Sequence, residues 1–172
     1  MKNSALIVAL LLFSSFAFAQ DDKKSKNFNF HGQVFELNLK DSSEKPLMGV
    51  PIEIWSGDDH IATVESGPKG KYNISLKHYS EFTLKFGGSP YVTKVVQIDA
   101  HGFQRAAEFG IVNLDLDISL FKNKDFIGMD FMNYTPVAIA KFNKKKGLME
   151  WDLNYAETVN SRVAGILEAN GQ

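Results

Sequence analysis

Asp58, Asp59 and His60 are consecutive after Ser56-Gly57, so two carboxylates and an imidazole share one tight loop. Donors set that closely offer a weak surface cation site. A solvated turn is the simpler account, because Asp favours turns by bonding its own local backbone. The row Asn113, Asp115, Asp117 and Ser119 carries oxygen donors of the kind Ca²⁺ takes. A period of two along a strand separates successive members by about 7 Å, which suits a solvated strand face better than one ion. No cofactor is expected beyond such a weak surface Ca²⁺ site. Trp55 precedes Ser56-Gly57 and Tyr91 follows Gly87-Gly88-Ser89-Pro90. Both aromatics are expected near loops, where a ring stacks on a sugar or a peptide, with packing at core or edge as the competing account. Trp55, Asp58, Asp59, His60 and Tyr91 are therefore the candidate residues for a ligand or partner.

No catalytic set assembles from the same inventory. His31, His60, His78 and His101 lack the His-Glu-x-x-His neighbourhood of a metallopeptidase helix. The chain has no cysteine, which removes thiol chemistry and any disulfide scaffold. Ser56-Gly57 and Gly88-Ser89 lack the rest of a Gly-x-Ser-x-Gly elbow. Arg105 and Arg162 are the only arginines for oxyanion or phosphate handling. The expectation is a protein that is not an enzyme, with an unrecognised hydrolase as the enzymatic alternative.

The elements that must position these residues read as short strands. Phe35, Leu37 and Leu39 alternate with Glu36, Asn38 and Lys40, the period of two of a strand with one face on a core. Val50, Ile52 and Ile54 form the next inward row, and Ile61 to Glu65 follows the turn at Gly57-Asp58-Asp59. Tyr72, Ile74 and Leu76 follow the turn residues Gly67-Pro68-Lys69-Gly70, and Phe82, Leu84 and Phe86 make a further row. Val92, Val96 and Ile98 share a face across from Thr93 and Gln97. Val112, Leu114, Leu116, Ile118 and Leu120 form the longest row. Turn signals at this spacing favour an antiparallel sandwich over a parallel sheet with crossover helices.

The character changes after Phe121. Residues 122–133 read as an irregular connection pinned by Phe126, Phe131 and Tyr134. Val137 to Phe142 and Leu148 to Trp151 read as a hairpin around Asn143-Lys144-Lys145-Lys146-Gly147. Asn154 and Glu157 resemble a capping pair opening a helix that ends at Asn170-Gly171. Ala156, Val159, Val163, Ile166 and Leu167 fall on one side of it, so it should pack on the body of the protein.

Residues 1–19 have the parts of a secretory signal peptide: Lys2, an apolar run from Ala5 to Phe13, and Ala17-Phe18-Ala19 before the expected cut. Residues 20–29 read as a polar, flexible leader. Residues 30–121 read as the sandwich and 122–172 as the hairpin and helix packed on it. The expected compartment is periplasmic or secreted, with no transmembrane segment after cleavage. With 19 Lys and Arg against 20 Asp and Glu, mixed along the chain, neither nucleic acid nor an anionic membrane is favoured as partner.

Gly32-Gln33-Val34, Lys45-Pro46-Leu47-Met48-Gly49-Val50-Pro51-Ile52-Glu53-Ile54, Gly70-Lys71-Tyr72-Asn73-Ile74, Phe82-Thr83-Leu84-Lys85-Phe86 and Tyr91-Val92-Thr93-Lys94-Val95-Val96 carry a resemblance. Together they look like the carboxypeptidase-regulatory-like family of transthyretin-like β-sandwich modules, over roughly residues 30–100. The resemblance implies an accessory or binding unit of the cell envelope with an envelope protein as partner. It carries no catalytic motif, and the Tyr-Arg-Gly-Ser tail of the fold's hydroxyisourate hydrolase branch is missing. The leading expectation is thus a non-catalytic interaction or accessory module. The alternative is a carbohydrate- or peptide-binding protein using the loops at one end of the sandwich.

Overall fold

The computed structural model describes residues 27–39, 41–77, 81–101, 112–122 and 128–169. The signal-like residues 1–19, the first part of the leader, His78, Arg105, Phe126 and Asn170-Gly171 lie outside the described residues. The chain forms two mixed β-sheets in a sandwich-like arrangement with one C-terminal helix.

The first sheet is built on β1 (Asn27–Asn38), which takes in Asn27–Asn29 at its start, residues read from sequence as leader. Strands β5 (Lys71–Lys77) and β2 (Ser43–Pro46) pair antiparallel with its first and second halves. Strands β8 (Val112–Asp115) and β9 (Ile118–Leu120) run parallel along the same two halves. The row read as one long strand therefore breaks at Leu116-Asp117. Its backbone there pinches onto β1: Leu116 donates to the His31 carbonyl at 3.0 Å, and Gln33 N donates to Asp117 Oδ1 at 2.8 Å. Tyr72 Oη donates to the Leu116 carbonyl at 2.5 Å. Gly32 makes the approach feasible, since a Cβ there would stand 2.1 Å from the Leu116 oxygen.

The second sheet comprises β3 (Pro51–Ser56), β4 (Asp59–Glu65), β6 (Glu81–Phe86), β7 (Lys94–Asp99), β10 (Pro136–Asn143) and β11 (Leu148–Trp151). Its order is β11-β10-β7-β6-β3-β4. The expected hairpin is present as β10 and β11, and β10 joins the sheet parallel to β7. Most strand pairs are antiparallel, as expected from sequence, and β8, β9 and β10 add parallel pairs that make both sheets mixed.

Alternation explains the core. Ile52 and Ile54, Tyr72, Ile74 and Leu76, Phe82, Leu84 and Phe86, and Val96 and Ile98 are all buried. Phe82 is edge-on to Phe28 at 5.7 Å and to Phe30 at 6.2 Å. On β1 the core row is Phe28, Phe30 and Val34, so the parity differs from the expected Phe35, Leu37 and Leu39, which are half-buried. Among the described residues Ser66 is the buried polar side chain; it accepts from Val50 N and donates to the Leu47 carbonyl, tying the loop before β3 to the end of β4.

Helix α1 (Leu153–Ala169) is capped by Asp152, whose Oδ1 accepts from Tyr155 N at 3.1 Å, two residues before the Asn154 expected from sequence. Lys141 holds the other oxygen of Asp152 at 2.8 Å. Val159 is buried and Val163, Ile166 and Leu167 are partly buried, as the helical spacing requires. Together with the 3₁₀ turn Asp130–Asn133 the helix covers one end of the sandwich. Among the described residues no helix is long and apolar enough to cross a membrane.

Candidate functional site

Trp55 lies on the outward parity of β3, between the buried Ile52 and Ile54 row and the turn to β4. A register shift between Ile54 and Trp55 brings His60 opposite Trp55. The two rings meet edge to face with centroids 4.9 Å apart. Lys85, outward on β6, places its Nζ 4.5 Å from the indole centroid. The indole N–H donates to Glu53 Oε2 at 3.0 Å, and His60 Nε2 is in hydrogen-bond contact with Thr63 Oγ1 at 3.0 Å. Trp55 and His60 are therefore brought together as a polar and aromatic strip. Lys85 stands over one face of the indole and His60 meets the ring at an edge-type contact. Asp58 and Asp59 are exposed at the turn beside it. No group of three or more metal-ligating side chains occurs among the described residues.

The strip borders an open edge. β4 is the last strand of the second sheet and pairs with β3 alone among the described strands. Ala62 and Val64 pack toward the core, while Thr63 and Glu65 are exposed. Unpaired backbone donors and acceptors on such an edge are a template for another strand.

Tyr91 is at the other end of the same sheet. Trp55 is paired with Thr83 near the start of β6, whereas Tyr91 follows the end of β6 and precedes β7. Tyr91 Oη donates to Glu36 Oε2 at 3.2 Å, Lys122 Nζ meets Glu36 Oε1 at 2.7 Å, and the backbones of Tyr91 and Lys122 form an isolated bridge. The hydrogen bond from Lys122 holds the Glu36 carboxyl below its ordinary range against the opposing effect of burial, with Tyr91 adding to the depression. The five candidate residues thus do not converge.

The acidic row is spread over separate partners. Asn29 donates to Asn113, His31 meets Asp115 at 2.8 Å, Gln33 N donates to Asp117, and Ser119 donates to Glu44 on β2. Each of these side chains bonds a neighbour in its own sheet.

Sequence reading missed a pocket of about 160 Å³ under α1, lined by Leu39, Met129, Met132, Val159, Val163 and Leu167 among others. Among the described residues, the charged group in its wall is Lys94. That residue has the strand parity of Val96 and Ile98, both fully buried, and is itself half-buried. Its amine lies 5.5 Å from the Phe121 ring centroid, and burial pushes it down to about 8, with the Glu44 charge opposing. The signal was present: the sequence row Val92, Val96, Ile98 skips position 94.

No protein-family model matches the chain. No curated protein matches it in sequence. Among solved structures it is similar to the minor pilin of Streptococcus agalactiae, with TM-score 0.39, 17% identity, and 57% of this chain covered against 45% of that one. It is also similar to chlorocatechol 1,2-dioxygenase from Pseudomonas putida, with TM-score 0.41, 10% identity, and coverages of 58% and 61%. Catechol 1,2-dioxygenase from Acinetobacter radioresistens gives TM-score 0.40, 11% identity, and coverages of 60% and 54%. The chain thus spans about half to three-fifths of the structures it matches.

Proposed function

We propose that the chain is an exported, non-catalytic interaction module that takes up an extended segment of an envelope protein along β4. The observation that carries this reading is the open β4 edge running beside the Trp55, His60 and Lys85 strip. Main-chain hydrogen bonds along such an edge supply affinity, and the adjacent side chains supply selectivity. Asp58, Asp59 and Glu65 lie on or next to the edge strand and Glu53 on its neighbour β3, which favours a partner strand bearing Lys or Arg. Export rests on the signal-like residues 1–19, and the accessory role on the resemblance to carboxypeptidase-regulatory-like modules. The glycan reading needs Trp55 and Tyr91 at one end, and they stand at opposite ends.

A photo-crosslinking side chain at Thr63 tests the reading in the native envelope, with the same group at Lys145 in the β10–β11 turn as control. One protein captured in near-stoichiometric amount from Thr63 and not from Lys145 supports it. Equal or no capture from both positions sinks it.

A further inference from the structure

We propose that the pocket beneath α1 binds a small apolar carboxylate, a fatty acid of about six to eight carbons, with its carboxylate on Lys94. The chain of the ligand would lie among Met129, Met132, Val163 and Leu167. This site is separate from the β4 edge and stands or falls without it.

Size, lining and charge each narrow the ligand. A cavity of about 150 Å³ is large enough for a benzene-sized guest, and this one measures about 160 Å³. Aliphatic side chains, two Met thioethers and the Phe121 ring dominate its wall, with Asn160 and Lys94 as the polar members. Such a wall selects for an apolar body. The methionines suit it further, because their unbranched side chains adapt to the shape of a guest.

Lys94 selects the head group. No carboxylate of the described residues lies within ion-pair distance of its amine, and Glu44 acts on it only through longer-range charge. The Phe121 ring satisfies part of the charge but accepts no conventional hydrogen bond. A half-buried ammonium with no carboxylate of the described residues in reach gains from an acceptor, and a carboxylate arriving with its own apolar tail supplies one while filling the cavity. A phosphate would need more donors than one amine and one amide supply. A cationic guest would meet the lysine's like charge.

The test uses the full chain with isotope-labelled methionine methyl groups, titrated with octanoate and with octanol as the neutral probe of equal length. Octanoate should shift the Met129 and Met132 signals saturably, leaving exposed Met48 and core Met149 in place. Lys94→Leu should weaken octanoate by about tenfold or more and leave octanol unchanged. Val163→Trp, which fills the pocket, should abolish both, and it keeps the test open should Lys94→Leu fold poorly. Absence of saturable shifts at Met129 and Met132 in the millimolar range overturns the proposal. So does equal octanoate affinity in wild type and Lys94→Leu.

Discussion

The amine of Lys94 lies 5.5 Å from the centroid of the Phe121 ring, and both side chains line the pocket under α1. Lys94 is paired across the sheet with Phe86, which is fully buried, so a charged side chain occupies a position whose strand neighbours on that face are apolar. Burial pushes the amine from its ordinary 10.5 to about 8 despite the Glu44 charge.

That depression fixes the direction of a pH effect. Below about pH 8 the amine is protonated in folded and unfolded chains alike, and the folded chain bears the full desolvation cost. Between about 8 and 10.5 the unfolded chain holds a proton that the folded chain has released, so stability rises with pH across this window. Lys94→Leu should therefore be more stable than wild type at pH 7, by about 1–3 kcal/mol. The gap should narrow toward pH 10.5. Urea unfolding of both proteins at several pH values reads this, and a gap that is constant with pH would contradict it.

Glu36 carries the opposite sign. Lys122 chiefly, and Tyr91 after it, hold its carboxyl below the ordinary 4.5 while burial opposes them. The stabilisation is complete above about 4.5 and is lost as pH falls through the depressed value. Because the pair is partly solvated, Glu36→Gln should cost only about 0.5–1 kcal/mol at pH 7. The cost should vanish in acid, where wild type also carries a neutral side chain. Denaturation midpoints of the two proteins from pH 7 to pH 3 give the comparison.

Gly32 is a packing requirement. A Cβ there would meet the Leu116 oxygen at 2.1 Å and its carbonyl carbon at 2.7 Å, both backbone atoms with no rotamer to yield. Gly32→Ala must push β1 away from residues 116–117, loosening the Leu116–His31 and Gln33–Asp117 bonds. The expected loss is about 3 kcal/mol or more. Gly49→Ala is the contrast: its φ is +75° but nothing lies within 4 Å of the added carbon, so only about 1 kcal/mol of backbone strain is expected. Equal losses for the two would refute the steric account.

Which parts of this were legible follows from the range of the forces involved. The rows of β3, β5 and β6 read correctly because each strand has one buried face and a strict period of two. β1 misled because Phe28, Phe30 and Val34 are on one parity and Phe35, Leu37 and Leu39 on the other, and the second set also finds cover, with Leu39 packing in the cluster under α1. The parallel pairing of β8, β9 and β10 depends on contacts distant in sequence, which local alternation does not encode. Trp55 and His60 could be placed near one another from the turn between them. Lys94 could be found only as the cation in an otherwise aliphatic row, and its pocket required the helix to be in place.

Thr63 offers the sharpest test of the β4 edge. It is exposed on the outer face of the edge strand, where its hydroxyl contacts His60, and no core contact depends on it. A lysine there puts a charge on the centre of the edge, a device by which sheets discourage strand addition. It would also repel the cationic partner strand favoured by the bordering carboxylates. Thr63→Lys should therefore abolish partner capture through β4 while changing folding stability by less than about 0.5 kcal/mol. Thr63→Val, which keeps the strand preference and removes only the hydroxyl, should retain capture. Capture that survives Thr63→Lys at wild-type yield would remove β4 as the docking edge and leave the Lys94 pocket as the remaining candidate site.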